Sequence, residues 1–479
     1  MLHLGLLDFS LILLVVHLTG AVAAVHAALT VRTSQGAVAW VVALVMMPYL
    51  TLLPYLFLGR RRFADYVTAR RYVIEQMYRQ VGRNDWPSPE SVSAELAVEA
   101  PQSCIRTLSR LGRSPTTGHN RVRLLINGEA TFTTILAAIT AARHSVIVQF
   151  FIVHDDMLGQ ALQQALLERA AEGLHVYFLY DSIGCHALPK SYLESLEQGG
   201  VDVQPFAVTR RFVNRFQVNF RNHRKLVVID GKTAYVGGHN VGCEYLGLKP
   251  PLAPWRDTHI EVTGPAAAIL QLSFAEDWYA ATGKLPLLHQ PRKADGGTML
   301  CQVVPSGPAD RLETGSLLFV EAINAAQRRI WLTSPYFVPD EAVSAALRLA
   351  LLRGVEVKIL IPSRKDHRMV FLASRLYAYE AARAGVQMYT YRPGFLHQKV
   401  VLVDDEIAII GSANLDNRSF RLNFELMVAT VDRGFAAEVE AMLVTDFALA
   451  DPVDASRYAR LTLWRRVAMS LARLFAPIL

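Results

Sequence analysis

The sequence predicts an α/β protein: two duplicated lobes, each a mixed sheet flanked by helices, behind an N-terminal two-helix transmembrane hairpin. Three observations carry this. Two nearly uncharged runs open the chain, strand and helix patterns then alternate twice in the same order, and one short motif recurs at equivalent points of both copies. The 479 residues leave room for about two to four domains. An apolar fraction of 52% against 19% charged residues is high for a soluble chain and points to membrane segments.

The hairpin comes first. Phe9 to Leu29 and Ala37 to Leu58 are runs of 21 and 22 residues, each long enough to cross a bilayer as a helix. Pro48 and Pro54 fall in the second run, where a transmembrane helix tolerates them better than a soluble one does. The stretch "AVAA" from Ala21 resembles a signal-peptide cleavage site, but Asp8 rather than Lys or Arg precedes the run, so a retained helix is expected. Only Arg32 is charged in the loop between the runs, whereas Arg60, Arg61, Arg62, Arg70 and Arg71 follow the second. Counting positive charge places the N-terminus and everything after Leu58 in the cytoplasm, in a multi-pass protein.

Residues 60 to 115 read as a juxtamembrane helix and a linker, with Trp86-Pro87-Ser88-Pro89 breaking any helix. From Arg121 the alternation begins. "RVRLLING" is a strand, "TFTTILAAITAARH" a helix, "SVIVQFFIV" a buried strand, "LGQALQQALLERAAEG" a helix and "LHVYFLYD" a strand. After a Pro- and Gly-rich stretch from Leu285 to Gly297 the order returns. "SLLFVEAINAAQRR" is a helix, "IWLTSPYFV" a strand, "DEAVSAALRLALLRG" a helix and "VEVKILIPS" a strand. Such units imply sheets covered on both faces, and "ILAAITAARHSVIV" aligns with "FVEAINAAQRRIWL" without a gap, which implies duplication. The chain thus divides into a transmembrane hairpin over 1–59, juxtamembrane helix and linker over 60–115, a first lobe over 116–290, a second over 298–452, and a basic amphipathic helix over 453–479. That last helix has Leu461, Trp464, Ala468, Leu471 and Phe475 at helical spacing. It suits either a membrane interface or packing on the second lobe.

A net charge of +7, much of it Arg beside the membrane segments, suits anionic lipid headgroups. Nucleic acid would also be attracted, but no aromatic-basic stacking track accompanies the charge, so no nucleic-acid partner is expected. Cys104, Cys185, Cys243 and Cys301 are widely spaced and read as buried thiols in a reducing compartment.

The repeated motif carries the chemistry. "NHRKLVVIDGKTAYVGGHN" from Asn222 and "LHQKVVLVDDEIAIIGSAN" from Leu396 each hold His-x-Lys, Asp five residues on, and Asn ten residues after that. On a β-rich run His and Lys project from one face. The Asp-Gly pair signals a hairpin turn, so Asp230 and Asp404 are expected to brace the site rather than react. The glycine-rich ends permit close backbone approach and present Asn240 and Asn414. His, Lys and Asn can then surround one anion, with Lys supplying charge and Asn neutral donors, and no metal is required. One such motif is weak evidence. Two at equivalent places, brought to one seam by two-fold packing, let one His attack phosphorus while the other protonates the leaving oxygen.

His223, Lys225, Asp230, His397, Lys399 and Asp404, with Asn240 and Asn414, resemble the phospholipase D superfamily. Within it the chain resembles bacterial cardiolipin synthases that carry an N-terminal membrane hairpin, through "LYDSIG", "WRDTHIEVTGP", "SPYFVPD", "GFLHQK" and "GSANLDNRSFRLNFE". One departure is "GCEY", where Cys243 replaces the first of an acidic pair usual in the family. The resemblance implies two phospholipase D-like lobes in the bacterial inner membrane, transferring a phosphatidyl group between two phosphatidylglycerol molecules through a phosphohistidine. It also implies His223 as nucleophile and His397 as general acid then base, with the reverse assignment open because the motifs are nearly symmetric. Lys225, Lys399, Asn240 and Asn414 would bind phosphate. Glu425 resembles the carboxylate that orients a histidine downstream of the motif, and Asp257 is the candidate in the other lobe. Ser412 either orients phosphate or is a close-packed small residue, and His259 is read as structural.

Neither a metal nor another cofactor is expected, since one phosphodiester is made as another is broken. Accordingly no nucleotide-binding P-loop and no D-x-x-D-G-x-x-A-R pattern of CDP-alcohol transferases occurs. A membrane-tethered hydrolase of the same superfamily, a synthase that also uses phosphatidylethanolamine, and a non-catalytic lipid-binding scaffold are the alternatives. The oligomeric state is left open, a homo-oligomer included.

Overall fold

The computed structural model describes residues 6–31, 34–59, 72, 75, 102–206 and 220–478. Arg32, the arginines at Arg60, Arg61, Arg62, Arg70 and Arg71, the Trp86 to Pro89 break and most of the expected juxtamembrane segment lie outside the described residues. The chain divides into two units, residues 1–67 with 208–220, and residues 68–207 with 221–479.

The first unit contains α1 (Leu6–Thr30), α2 (Ser34–Met46) and α3 (Pro48–Leu58). Ser10–Thr30 is, among the described residues, the one helix long and apolar enough to cross a bilayer. The second expected span is two helices rather than one. Pro48 has no amide hydrogen and its ring opposes continuation, so the helix breaks at Met47 and restarts with Pro48 in its first turn. The Thr51 hydroxyl reaches across the break to the carbonyls of Ala43, at 3.0 Å, and Met47, at 2.8 Å. Gly20 lets α1 approach this corner. A Cβ there would stand 2.6 Å from the Leu44 carbonyl oxygen and 2.7 Å from the Pro48 ring.

The second unit holds both lobes. The first has strands β1 (Thr117–Ile126), β2 (Ser145–Phe150), β3 (His175–Asp181), β4 (Asp202–Phe206), β5 (Arg221–Asn222), β6 (Leu226–Ile229), β7 (Thr233–Gly237), β8 (Trp255–Arg256) and β9 (Thr258–Thr263). The second has β10 (Met299–Ser306), β11 (Arg329–Thr333), β12 (Phe337–Val338), β13 (Glu356–Pro362), β14 (Gln387–Tyr391), β15 (Phe395–Leu396), β16 (Val400–Val403), β17 (Ile407–Gly411), β18 (Leu415–Asp416), β19 (Asn423–Val431) and β20 (Ala450–Pro452). The spatial order β1-β9-β7-β6-β2-β3-β4 is repeated as β10-β19-β17-β16-β11-β13-β14, with β20 on the outer edge. Identical order in both halves is the structural form of the duplication. The halves join where β1 and β10 pair antiparallel, Thr117 opposite Cys301, making one continuous sheet.

Crossover helices cover the parallel strands, as the alternating pattern requires. The helix α4 (Gln102–Gly112) precedes the first lobe, which uses α5 (Asn127–Thr140), α6 (Met157–Ala171), α7 (Lys190–Gln198) and α8 (Pro265–Thr282). The second uses α9 (Thr314–Ala325), α10 (Glu341–Leu352), α11 (Arg368–Arg383), α12 (Asn417–Arg421), α13 (Arg433–Ala448) and finally α14 (Leu463–Leu474). Part of the expected linker is therefore a helix. Cys104, Leu108 and Leu111 of α4 are buried in the core of the second lobe, with Leu300, Phe319 and Ile323, although α4 precedes the first. The four cysteines are all free thiols, and all but Cys243 are buried.

The tail helix α14 packs on the second lobe by one face and leaves a second apolar face exposed. Met469 and Ala472 are buried against Leu372, Ala373, Leu376 and Tyr379 of α11. Leu463, Trp464, Leu471, Leu474 and Phe475 are exposed, Trp464 by 81%.

Candidate active site

The two His-x-Lys triplets do not lie within strands, as the sequence pattern implies, but in three-residue steps between them. The reason is a change of pairing partner. β5 of the first lobe runs parallel to β19 of the second, with Arg221 opposite Asn423 and Asn222 opposite Phe424. The next residue on each side is His223 and Glu425. β15 of the second lobe likewise runs parallel to β8 of the first, Phe395 opposite Trp255 and Leu396 opposite Arg256. The next pair is His397 and Asp257. Each chain then returns to its own sheet through β6 or β16. Register alone thus delivers each histidine to a carboxylate of the opposite lobe.

The bonds follow the register. His223 Nδ1 donates to Glu425, 2.9 Å from both carboxylate oxygens. His397 Nδ1 donates to Asp257 Oδ2 at 2.6 Å. A carboxylate only accepts, so each ring carries its proton on Nδ1 and leaves Nε2 for a substrate. Burial lowers the His223 pKa to about 4 despite the opposing pull of Glu425, and lowers His397 to about 4 with help from Lys399. Burial also acts to raise Glu425 and Asp257. The charge of His223 holds Glu425 below its ordinary value, and His239, Lys399 and His397 hold Asp257 below its own.

Lys225 and Lys399 lie behind the histidines, and each ammonium donates to the carbonyl of its own His223 or His397. Burial lowers Lys399 to about 8 and Lys225 well below its ordinary value. Between them, Arg224 and Gln398 point the other way, Arg224 to Asp277 at 2.8 Å and Gln398 to Asp446 at 2.9 Å. Asp446 also takes a two-pronged bond from Arg256, tying the lobes together.

Asp230 and Asp404 occupy the hairpin turns β6–β7 and β16–β17 in left-handed conformation, at φ 51° and 50°. Each carboxylate accepts from three successive backbone amides, Arg143 to Ser145 for Asp230 and Gln327 to Arg329 for Asp404. They clamp the turn that opens β2 and β11, remote from any reacting atom. Asn240 and Asn414 both line the cavity between the histidines. Asn240 is held by the Ile152 amide and the Tyr245 hydroxyl, while Asn414 Oδ1 is buried without a hydrogen-bond partner among the described residues. The Ser412 hydroxyl donates to Glu425 Oε2 at 2.6 Å, behind the histidine rather than on the cavity wall. His259 is buried, its Nδ1 3.0 Å from His239 Nδ1, in keeping with a structural place.

The cavity has a volume of about 640 Å³. Besides the histidines and asparagines it is lined by residues the motif reading passes over. Arg221 and Arg418 supply cations, Tyr245 and Trp255 an aromatic wall beside His397, and Asp416 a buried carboxyl that burial pushes up to about 6. Arg418 and Asp416 lie in "GSANLDNRSFRLNFE" and Arg221 stands two residues before His223, so nearness to the motif was the available signal. Glu244 of the divergent "GCEY" is paired with His154 at 2.9 Å and Lys249 at 2.8 Å at the cavity wall.

The family described as "Cardiolipin synthase, PLD-like domain" matches residues 135–251 and 319–446, one segment in each lobe. Cardiolipin synthase A of Pseudomonas aeruginosa (strain LESB58) is 61% identical over 473 residues, covering 98% of this chain and 96% of that protein. The chain belongs to the cardiolipin synthase family. Cardiolipin synthase A of Pseudomonas syringae pv. syringae (strain B728a) is 56% identical over 98% of both chains. Among solved structures, the phosphatidylserine synthase of Haemophilus influenzae Rd KW20 superposes with a TM-score of 0.60 at 17% identity. It covers 78% of this chain and 98% of its own, a likeness of fold. Membership of this family, together with the apolar helix at Ser10–Thr30, makes the protein membrane-associated.

Proposed function

We propose that the protein is a cardiolipin synthase that transfers a phosphatidyl group from one phosphatidylglycerol to another and releases glycerol. The carrying observation is the exchange of carboxylates across the seam, which gives each of two imidazoles at one cavity a carboxylate partner on Nδ1. In this reading His223 Nε2 attacks phosphorus, and the departing glycerol oxygen takes a proton from His397 Nε2. Glu425 balances the positive charge that His223 acquires as the N–P bond forms. His397 then takes the proton of the second lipid's terminal hydroxyl, whose oxygen displaces His223 and leaves cardiolipin. Lys225, Lys399, Asn240 and Asn414 stabilise the phosphoryl oxygens.

Lipid binding supplies the proton that this reaction needs. Both imidazoles are neutral at pH 7, as a nucleophile must be, but an acid must be charged. An arriving phosphodiester anion favours the charged forms of the histidines and lysines around it, so binding of lipid brings proton uptake and loads His397. The tail helix supports a membrane-facing mouth: α14 packs on α11, while Asp366, His367 and Val370, at and just before the start of α11, line the cavity. We place the body on the cytoplasmic side and read α1 with α2–α3 as the multi-pass anchor.

The test is turnover of the full chain reconstituted in phosphatidylglycerol vesicles with EDTA present. Cardiolipin and glycerol in equal amounts are expected, and His223→Ala and His397→Ala should each abolish both. Phosphatidic acid as the sole lipid product would instead indicate a hydrolase. Cardiolipin formation that survives either substitution would contradict the shared site.

A further inference from the structure

The cavity wall carries a carboxylate that the phosphate chemistry does not use. Asp366 and Tyr336 both line the cavity, and the Tyr336 hydroxyl donates to Asp366 Oδ2. The other oxygen, Oδ1, accepts from the His367 amide at 2.6 Å. Both donors are neutral. Glu244, elsewhere on the wall, is instead tied to His154 at 2.9 Å and Lys249 at 2.8 Å. Burial lowers Lys399, and the charge of Asp366 opposes this less than those of Asp257, Glu425 and Asp416 do. Burial and the charge of Asp366 push the Tyr336 phenol well above its ordinary value, so Tyr336 keeps the proton of the shared bond.

Backbone pairing fixes where the two side chains stand. β12 runs parallel to β18, Phe337 opposite Leu415 and Val338 opposite Asp416. The residues just before the first of these pairs are Tyr336 and Asn414. Ser334 closes the join, its hydroxyl donating to the Tyr336 carbonyl at 2.6 Å and accepting from the Leu415 amide at 3.0 Å. The segment that carries Asp366 is fastened to the other lobe. Arg364 donates to the carbonyls of Pro251 and Ala253, each at 2.7 Å, and to that of Pro393 at 2.7 Å. The same stretch accepts the Phe395 amide at the Leu252 carbonyl, 2.9 Å away, and leads into Trp255, whose ring lies 5.0 Å from that of His397. Tyr336 thus adjoins Asn414, and Asp366 is anchored to the stretch that also holds His397.

In the reaction proposed above, the departing glycerol takes a proton from His397 and the attacking hydroxyl gives one back. Two glycerols therefore occupy one place beside His397 in turn. A carboxylate repels a phosphodiester and accepts hydroxyls, so Asp366 serves the alcohol and not the phosphate. Its two oxygens offer about four lone-pair sites, and the two bonds above leave room for a further donor. The secondary hydroxyl is the one free group that the departing and attacking glycerols share, since the far carbon is a free alcohol in one and a phosphate ester in the other. We propose that Asp366, positioned by Tyr336, accepts the secondary hydroxyl of the headgroup glycerol and so selects a glycerol lipid as donor and as acceptor.

This inference rests on the two-lipid reaction, and the experiment separates the two. The full chain is given vesicles with equal amounts of phosphatidylglycerol and phosphatidyl-1,3-propanediol, which lacks only the secondary hydroxyl. The ratio of glycerol to propanediol released is the readout. It should favour glycerol about tenfold in the unsubstituted protein, as for a site built to bind a hydroxyl, and fall toward one in Asp366→Ala. Asp366→Asn, which keeps an acceptor but loses the charge, should lie between. Tyr336→Phe should lower the ratio several-fold, and it reads the same quantity should thermal melts show that the Asp366 variants do not fold. No preference for glycerol in the unsubstituted protein would overturn the subsite. An equal fall in both alcohols in folded variants would overturn it also, by assigning Asp366 to the support of Lys399. In vesicles of phosphatidylglycerol with phosphatidylethanolamine, a preference for releasing ethanolamine that disappears in Asp366→Ala would mark a cation site and overturn the glycerol assignment. Phosphatidic acid in place of cardiolipin from the unsubstituted protein would remove the two-lipid reaction itself, while the ratio of released alcohols would still decide the subsite.

Discussion

Glu425 accepts from three side chains, His223, Ser412 and Asn423, whereas Asp257 accepts from His397, the Trp255 indole and the Thr258 amide. Part of the asymmetry is the residue two before each carboxylate, Asn423 against Trp255, and part is one other position. Ser412 stands where the first lobe has Gly238, and a Cβ at Gly238 would meet an Asp257 oxygen at 2.0 Å. The first lobe needs glycine there because its carboxylate approaches the backbone, while the second uses the space for a hydroxyl. Glu425→Gln and Asp257→Asn keep shape but lose the charge that fixes the tautomer, and each should lower kcat about 10²- to 10⁴-fold. Ser412→Ala should lower kcat about tenfold with little change in KM, because the lost bond acts through Glu425. A raised KM with kcat retained would return Ser412 to the phosphate. At this scale the histidines, lysines and asparagines are legible from repeated spacing. The exchange of carboxylates is not, since no local pattern says which lobe's acid meets which imidazole. Nor are Arg221 and Arg418 legible, because an arginine beside a motif reads equally well as a solvated face.

Three of the four strands that make the exchange are among the shortest described. β5, β8 and β15 are two residues each, too short to leave a period-two pattern, and they pair only with the other lobe. Long elements with a full hydrophobic face, such as β3, α6 and β13, are readable in the sequence, whereas α4 is hidden because its stripe is three residues deep in a polar stretch. The tail helix belongs to the same lesson. Its periodicity reveals two apolar aspects, and only packing shows that Met469 and Ala472 take one and leave Trp464 on the other. If that outer face lies in the lipid interface, vesicles brominated near the headgroup should quench Trp464. The quenching difference between the full chain and Trp464→Phe should then vanish in vesicles without bromine. Equal quenching of both proteins would leave the face in water and remove α14 from the membrane.

Across the whole body, the active site stores an acid sensitivity. His223, His239 and His397 are depressed by burial to about 4 from an ordinary 6.5, and His259 lies well below 6.5. Between those values the unfolded chain holds protons on four imidazoles that the folded body refuses. The unfolded state binds more protons, so stability rises with pH through this window and is lost on acidification. Asp416, pushed up to about 6, and Asp181, also raised by burial, act in the opposite sense, since the folded body binds their protons first. Glu425, Asp257 and Glu244 are held low, and their contribution is lost only as pH falls below the ordinary carboxylate values. His289 is lowered by burial as well, while His154, bonded to Glu244, and Glu321, by burial, are raised and act with the two carboxyls; the deeply buried imidazoles of the site carry the balance toward a net loss. Thermal unfolding of the reconstituted chain should therefore move to lower temperature as pH falls from 6.5 toward about 4. His239, buried with Nε2 unpartnered among the described residues, offers the control: His239→Gln removes one of these titrations and should flatten the slope. A midpoint that stays level or rises on acidification would show that the carboxyls, not the imidazoles, dominate the balance.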